Sequence, residues 1–208
     1  NNKELKTVAT DSHRMSQKVI TLEKNGDNFD VVIPSRSLRE FTSVFSDDIE
    51  TVEVFFANNQ ILFRSEHISF YTRLLEGNYP DTDRLIPTEF NTEATFNVAN
   101  LRFAMERARL LSNATQNGTV KLEFKNGVVS SHVHSPEVGR VNEEIDTSAV
   151  SGEDLSISFN PTYLIEALKA IDSEQVVIRF ISSVRPFTLV PEGNEQGFIQ
   201  LITPVRTN

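Results

Sequence analysis

The 208-residue chain contains no cysteine. Disulfides, thiolate nucleophiles and Cys-based zinc sites are excluded, and a reducing, cytoplasmic setting is expected. No apolar run approaches the ~20 residues of a membrane-spanning helix, and no signal-peptide pattern is present. The chain does not start with Met, and a strand-like LKTVAT begins almost at once, so it reads as a fragment. Positive charge is also short: 20 Lys and Arg stand against 29 Asp and Glu, a net charge of −9. Spread evenly, that charge would oppose simple electrostatic binding of nucleic acid. Neither a phosphate-cradling Gly-rich loop nor a nucleophile-elbow pattern occurs. The sequons Asn113-Ala-Thr115 and Asn117-Gly-Thr119, without a secretory signal, are read as chance.

What is present is a pattern that recurs three times: a short strand, a capped amphipathic helix, then three strands. The copies begin at FDVVIPSRSLREFTSVF (29–45), ATFNVANLRFAMERARLL (94–111) and LSISFNPTYLIEALKAI (155–171). Pro34 with Ser35, Asn100, and Asn160 with Pro161 supply the helix starts, because Ser and Asn cap free N–H groups and Pro suits the first turn. Apolar stripes run Leu38, Phe41, Phe45; then Leu101, Met105, Ala108, Leu111; then Leu164, Ala167, Leu168, Ile171. TVEVFFA, QILFRSE and ISFYTRLLE follow the first helix, TVKLEF, VVSSHVH and VGRVNEEID the second, and QVVIRFI, PFTLV and FIQLITP the third. Asn58-Asn59, Asn126-Gly127 and Gly193-Asn194 supply hairpin turns. The expected class is α+β: repeated β-α-β-β-β units forming antiparallel sheets with helices on one face. A boundary near Pro87–Thr92 makes residues 93–208 a complete two-unit domain. Residues 1–87 then hold one unit, half of a similar domain, with an unpaired sheet edge and part of its core exposed.

The charge is uneven. The helices carry Arg36, Arg39, Arg102, Arg107, Arg109 and Lys169 against Glu40, Glu106, Glu166 and Asp172, an excess of two cations over an acidic remainder. Such a field can draw a polyanion to one surface through phosphate contacts that carry no sequence information. A solvated outer helix face accounts for the same residues.

Chemistry has few candidates. Asp11-Ser12-His13-Arg14 crowds a carboxylate, a hydroxyl, an imidazole and a guanidinium together, but consecutive residues point in different directions and do not form a triad. The expectation is a turn in which Asp11 accepts backbone N–H groups. His132 and His134 share a strand face without a third ligand at a supporting spacing, and Asp81 and Asp83 flank a turn. Apolar residues beside polar turns remain: Met15, Tyr79-Pro80, Leu85, Tyr163 and the tail LITPVR. They suit a peptide groove or simple core packing equally.

VATDSHRMS, EGNYPDTDRLIP (76–87), FNPTYL (159–164) and a terminal TPVR occur in the order found in bacterial sliding clamps, the beta subunits of replicative DNA polymerase III. The chain resembles that family over essentially its whole length. The resemblance implies a non-enzymatic processivity factor with no cofactor and no metal. Head-to-tail homodimers close around duplex DNA, with helices lining the hole, and this chain would cover the second half of the middle domain and the C-terminal domain. The implied partners are duplex DNA held without sequence specificity, the polymerase catalytic subunit, the clamp loader and other proteins carrying a short hydrophobic clamp-binding motif, with no membrane. An unrelated β-rich interaction module without DNA encirclement is the alternative, and a hydrolase using Ser12 and His13 ranks behind both.

By motif, the family's partner groove is carried here by Thr10, Ser12, His13, Arg14 and Met15, continued by Pro80, Arg84 and Leu85. Asn160, Tyr163, Val184, Pro186 and Leu201 add to it, then Thr203, Pro204, Val205 and Arg206. Arg14 would offer hydrogen bonds, and Met15 would adapt to apolar guests. Ser12 stands where glycine is also found in the family, Thr203 where some members have a bulkier apolar residue, and Thr207-Asn208 extend past Arg206. Leu110 and Leu111 match the apolar side of the dimer interface, and Glu143 and Glu144 its acidic side. Arg36, Arg39, Arg102 and Lys169 are taken as DNA-facing from helix position alone.

Overall fold

The structure is a computed structural model that describes residues 3–23, 26–45, 49–112, 118–135, 139–194 and 197–206. The asparagines of both sequons, Asn113 and Asn117, and the terminal Thr207-Asn208 lie outside the described residues.

The smaller of two compact units is built on residues 25–81. It holds helix α1 (Ser35–Val44) and a three-stranded antiparallel sheet of β3 (Glu53–Ala57), β4 (Gln60–Arg64) and β5 (Ser69–Arg73). Register places Val54, Phe63 and Phe70 on one sheet face and Phe55, Leu62 and Tyr71 on the other. Phe41 of α1 meets Phe63 with ring centroids 4.6 Å apart, and Ser37 hydrogen-bonds Thr72 at 2.8 Å. The first repeat forms less completely than expected. Its leading FDVVIP contributes only an isolated bridge, Val32 to Leu75. No side chain caps α1, none of its residues is buried, and every residue of β3 is exposed.

The larger unit comprises residues 3–24 and 82–208. Its first strands are β1 (Glu4–Thr10) and β2 (Arg14–Thr21), and β2 pairs with β14 (Phe198–Ile202). Compactness therefore groups residues 3–24 with residues 82–208. The remaining strands are β6 (Thr92–Asn97), β7 (Val120–Lys125), β8 (Val128–Ser135), β9 (Gly139–Ile145), β10 (Ala149–Gly152), β11 (Leu155–Phe159), β12 (Gln175–Phe180) and β13 (Phe187–Pro191), with helices α2 (Val98–Ser112) and α3 (Pro161–Lys169). They form a seven-stranded sheet in the order β1-β2-β14-β13-β12-β6-β10 and a four-stranded sheet in the order β11-β7-β8-β9.

The two repeats of this unit interlock. β6 leaves its own repeat to pair with β12, and β11 leaves its own to pair with β7. Alternation in β6 and β7 sends Ala94, Phe96, Val120, Leu122 and Phe124 inward. Leu101, Met105 and Ala108 of α2 and Leu164 and Leu168 of α3 are buried as their spacing requires. Phe124 of one sheet meets Phe180 of the other at 4.9 Å, and Phe159 meets Phe187 at 5.2 Å, so the core lies between the sheets. Asn97, not Asn100, caps α2: its side chain accepts the Asn100 backbone N–H at 3.0 Å, because the helix begins three residues earlier than the sequence suggested. Asn126-Gly127 makes the expected two-residue hairpin, with φ of 52° and 77°.

Candidate functional site

The site is assembled from the larger unit. β1 and β2 form a hairpin whose turn is Asp11-Ser12-His13. Asp11 Oδ1 accepts the backbone N–H of His13 and of Arg14, each at 3.1 Å, and Thr10 Oγ1 donates to the Arg14 carbonyl at 2.8 Å. Ser12 adopts a φ of 72°, the left-handed region that glycine enters more easily. The polar knot is thus the expected Asx turn. The Asp11 carboxylate bonds backbone and the Arg14 side chain, and the His13 ring stacks on Tyr163 with centroids 6.1 Å apart, an arrangement without catalytic geometry.

β14 carries the turn to the C-terminal tail. Leu201 pairs with Met15 and Ile202 with Arg14. Thr203 then donates both its backbone N–H and its hydroxyl to the His13 carbonyl, at 2.9 and 2.8 Å. Val205 N–H donates to the Ser158 carbonyl in β11 at 2.7 Å. Thr203, Pro204, Val205 and Arg206 are therefore laced between the hairpin turn and β11. The strand β11 runs into Asn160, whose side chain accepts the Thr162 N–H at 2.9 Å and caps α3. Tyr163 stands in the first turn of α3, beneath the Arg14 guanidinium at 4.7 Å. Thr10, Ser12, His13, Arg14, Met15, Asn160, Tyr163, Leu201 and the tail meet in one place.

The other groove candidates are placed less tightly. Pro186 precedes Phe187, which pairs with Ile202, so it stands opposite Thr203 in register, and Val184 lies exposed in the same loop. Arg84 and Leu85 sit in a 3-10 turn, Asp83–Leu85, tied to β1 by a Lys6–Asp83 ion pair. Pro80 belongs to the smaller unit and is exposed. Met15 and Leu201 are only 2% and 4% exposed, whereas Leu85, Val184 and Val205 are 52%, 53% and 37% exposed. Met15, expected to meet guests directly, is sealed, whereas Leu85, Val184 and Val205 are each accessible.

The turn is electrostatically tight. Arg14 Nε donates to Asp11 Oδ2 at 2.9 Å, and Arg14 Nη1 donates to Glu166. Partial burial works against Asp11 ionising, but the hydrogen bonds from Arg14 and the backbone and the charge of Arg14 together hold its carboxyl below the usual value. Burial likewise works against the Arg14 charge, and Glu166 and then Asp11 outweigh it. Glu166 was missed as a site residue. Its position three residues after Tyr163 puts both on one helix face, which was the available signal.

Among the DNA-facing candidates, Arg36, Arg39 and Lys169 are exposed, with Arg36 paired to Glu40 at 3.1 Å. Arg102 departs from expectation. It is half-buried, its Nε is shut off from solvent without a hydrogen-bond partner among the described residues, and Glu106 lies 3.9 Å away. Of the interface candidates, Leu110 is 72% exposed and Glu144 is exposed, while Leu111 packs partly against the core. Glu143 is already bonded by Arg107, whose charge that hydrogen bond favours. His132 bonds Asn142 at 2.8 Å and Ser130 at 2.9 Å and lies 3.2 Å from Glu123. Among the described residues no group of three or more metal-ligating side chains occurs.

Interlocked β-α-β-β-β repeats carry one surface built from a hairpin turn, the segment Thr203–Arg206 and a helix start. The comparisons identify that architecture. The model for the DNA polymerase III beta subunit, C-terminal domain, matches residues 83–206, and the model for its central domain matches residues 1–81. The chain belongs to the DNA polymerase III beta subunit, or sliding clamp, family. It is 80% identical over 207 residues to the beta sliding clamp of Streptococcus pneumoniae serotype 4, covering 100% of this chain and 55% of that protein. The beta sliding clamp of Staphylococcus aureus strain Mu50 is 41% identical over 204 residues, 98% of this chain and 54% of that protein. The crystal structure of the Streptococcus pneumoniae beta chain superposes with a TM-score of 0.96 at 80% identity, covering 100% of this chain and 55% of that one. The Bacillus subtilis sliding clamp superposes at 0.94 and 38% identity, covering 100% and 55%. The chain thus spans about half the length of the relatives it matches. Membership leaves the unrelated-module alternative without support.

Proposed function

We propose that this chain is part of a DNA sliding clamp, a processivity factor that tethers the replicative polymerase and other proteins to duplex DNA and performs no reaction itself. In a protein of the relatives' full length, two copies close head to tail around the duplex. The observation that carries the tethering role is the convergence of the hairpin turn, the tail Thr203–Arg206 and the start of α3 on one surface. Rigid strands hold that surface, and Leu85, Val184 and Val205 give apolar anchors a place to dock. Partners with a short hydrophobic motif, including the polymerase catalytic subunit and the clamp loader, would bind there.

Arg36, Arg39 and Lys169 supply non-specific phosphate contacts, and Arg102 adds less because it is half-buried. Leu110, Leu111, Glu143 and Glu144 serve ring closure, with Leu110 the exposed anchor. Their counterpart in the family is the N-terminal domain. The setting is the cytoplasm, and no helix among the described residues is long and apolar enough to cross a membrane. Titrating a labelled hydrophobic clamp-binding peptide with the chain tests the tethering role. Saturable binding supports it, and absence of binding by a folded chain refutes it.

A further inference from the structure

The Arg14 guanidinium, expected to be offered to a guest, is already engaged. Nη1 donates to Glu166, Nε donates to Asp11 at 2.9 Å, and the group lies 4.7 Å from the centre of the Tyr163 ring. Asp11 is also fixed by two backbone N–H groups. Glu166 instead sits on the outward side of α3, with its side chain half exposed.

Resting on the peptide-binding reading above, we propose that Glu166 determines the charge preference of this groove. It holds Arg14 over Tyr163 and leaves the trio Asp11, Arg14 and Glu166 with one net negative charge. A guest carboxylate reaching this end must displace Glu166 from Arg14 and leave two anions side by side. A guest ammonium displaces nothing and finds carboxylate oxygens already oriented. The end of the groove beside Tyr163 therefore favours a partner segment with Lys or Arg flanking its apolar anchors over one with Asp or Glu there. These side chains are partly exposed, so the preference is modest, about two- to five-fold in affinity, and weakens with salt.

The test uses an uncharged hydrophobic clamp-binding peptide and two series derived from it, with Lys or Glu placed at each flanking position in turn. Anisotropy titrations at low salt compare the unmodified chain with Glu166→Gln and Glu166→Lys. At the position beside Tyr163 the Lys peptide should bind about two- to five-fold more tightly than the Glu peptide. Glu166→Gln should bring that ratio close to one, and Glu166→Lys should invert it, each ratio being taken within one variant so that a uniform change in affinity cancels. Loss of a merely structural contact would weaken all peptides alike and invert nothing. A ratio unmoved by either substitution at every position overturns this inference and leaves the groove standing. Failure of the uncharged parent to bind overturns the groove reading and this inference with it.

Discussion

Replacing Asp11 with Ala removes the acceptor for two backbone N–H groups and one side of an ion pair. The turn is exposed, so water takes over the amides, and the loss resembles that of a helix N-cap, about 1 kcal/mol. The paired side chains are 46% and 34% exposed, so solvent screening reduces their contribution to about 0.5 kcal/mol. Together these lower the melting temperature of a unit this size by about 3–6 °C. Asp11→Asn keeps the Oδ1 acceptor and loses only the charge, so it should cost the smaller part alone. The assay is thermal unfolding followed by circular dichroism at neutral pH. The pH dependence follows from the sign of the shift. Asp11 is held below its unfolded value, so its ionic contribution is complete above about pH 5, where the unfolded carboxyl is also ionised, and is lost as pH falls through the folded value. The gap between Asp11 and Asp11→Asn should be constant from neutral pH down to about pH 5 and close in stronger acid. An Asn variant as unstable as the Ala variant, or a gap that persists in acid, would refute the assignment of the turn to backbone hydrogen bonding by Asp11.

Three further sets of substitutions have expected outcomes. Gly152→Ala places a Cβ 1.9 Å from the Asn91 carbonyl oxygen at a φ of 97°, and should cost more than about 3 kcal/mol in urea unfolding. Leu110→Asp, at a side chain 72% exposed, should change the stability of this chain by less than about 0.5 kcal/mol. The same substitution should shift a full-length protein toward monomer in sedimentation. Arg36→Ala with Lys169→Ala should flatten the salt dependence of DNA binding by a full-length ring and leave peptide affinity unchanged.

The repeat was legible because helix and strand periods differ and each copy carries both. Strands whose burial alternates, such as β7, were found to within a residue or two. The β2 strand was not read, because RMSQKVIT begins inside a polar turn and looks like its continuation. Its partner β14 lies far away in sequence, and pairing over that distance leaves no local mark. Asn100 drew the cap assignment because it precedes the stripe that starts at Leu101, but α2 starts at Val98. In the site, Asp11 and its turn were accessible to local reasoning. The burial of Met15 and the bond from Arg14 to Glu166 depend on the tertiary fold, which spacing within one segment does not reveal.

The proposed role of this surface is to bind an apolar peptide. Its most direct test is an anisotropy titration of a labelled hydrophobic clamp-binding peptide with the chain and with Val184→Asp and Val205→Asp. These positions are exposed, so the substitutions leave folding intact, whereas Met15→Asp would bury a carboxylate and confuse binding with stability. Binding should be saturable, and weakened about ten-fold or more in each variant with the melting temperature unchanged. Binding that is unaltered in both variants, or absent from a chain that melts cooperatively, would contradict it.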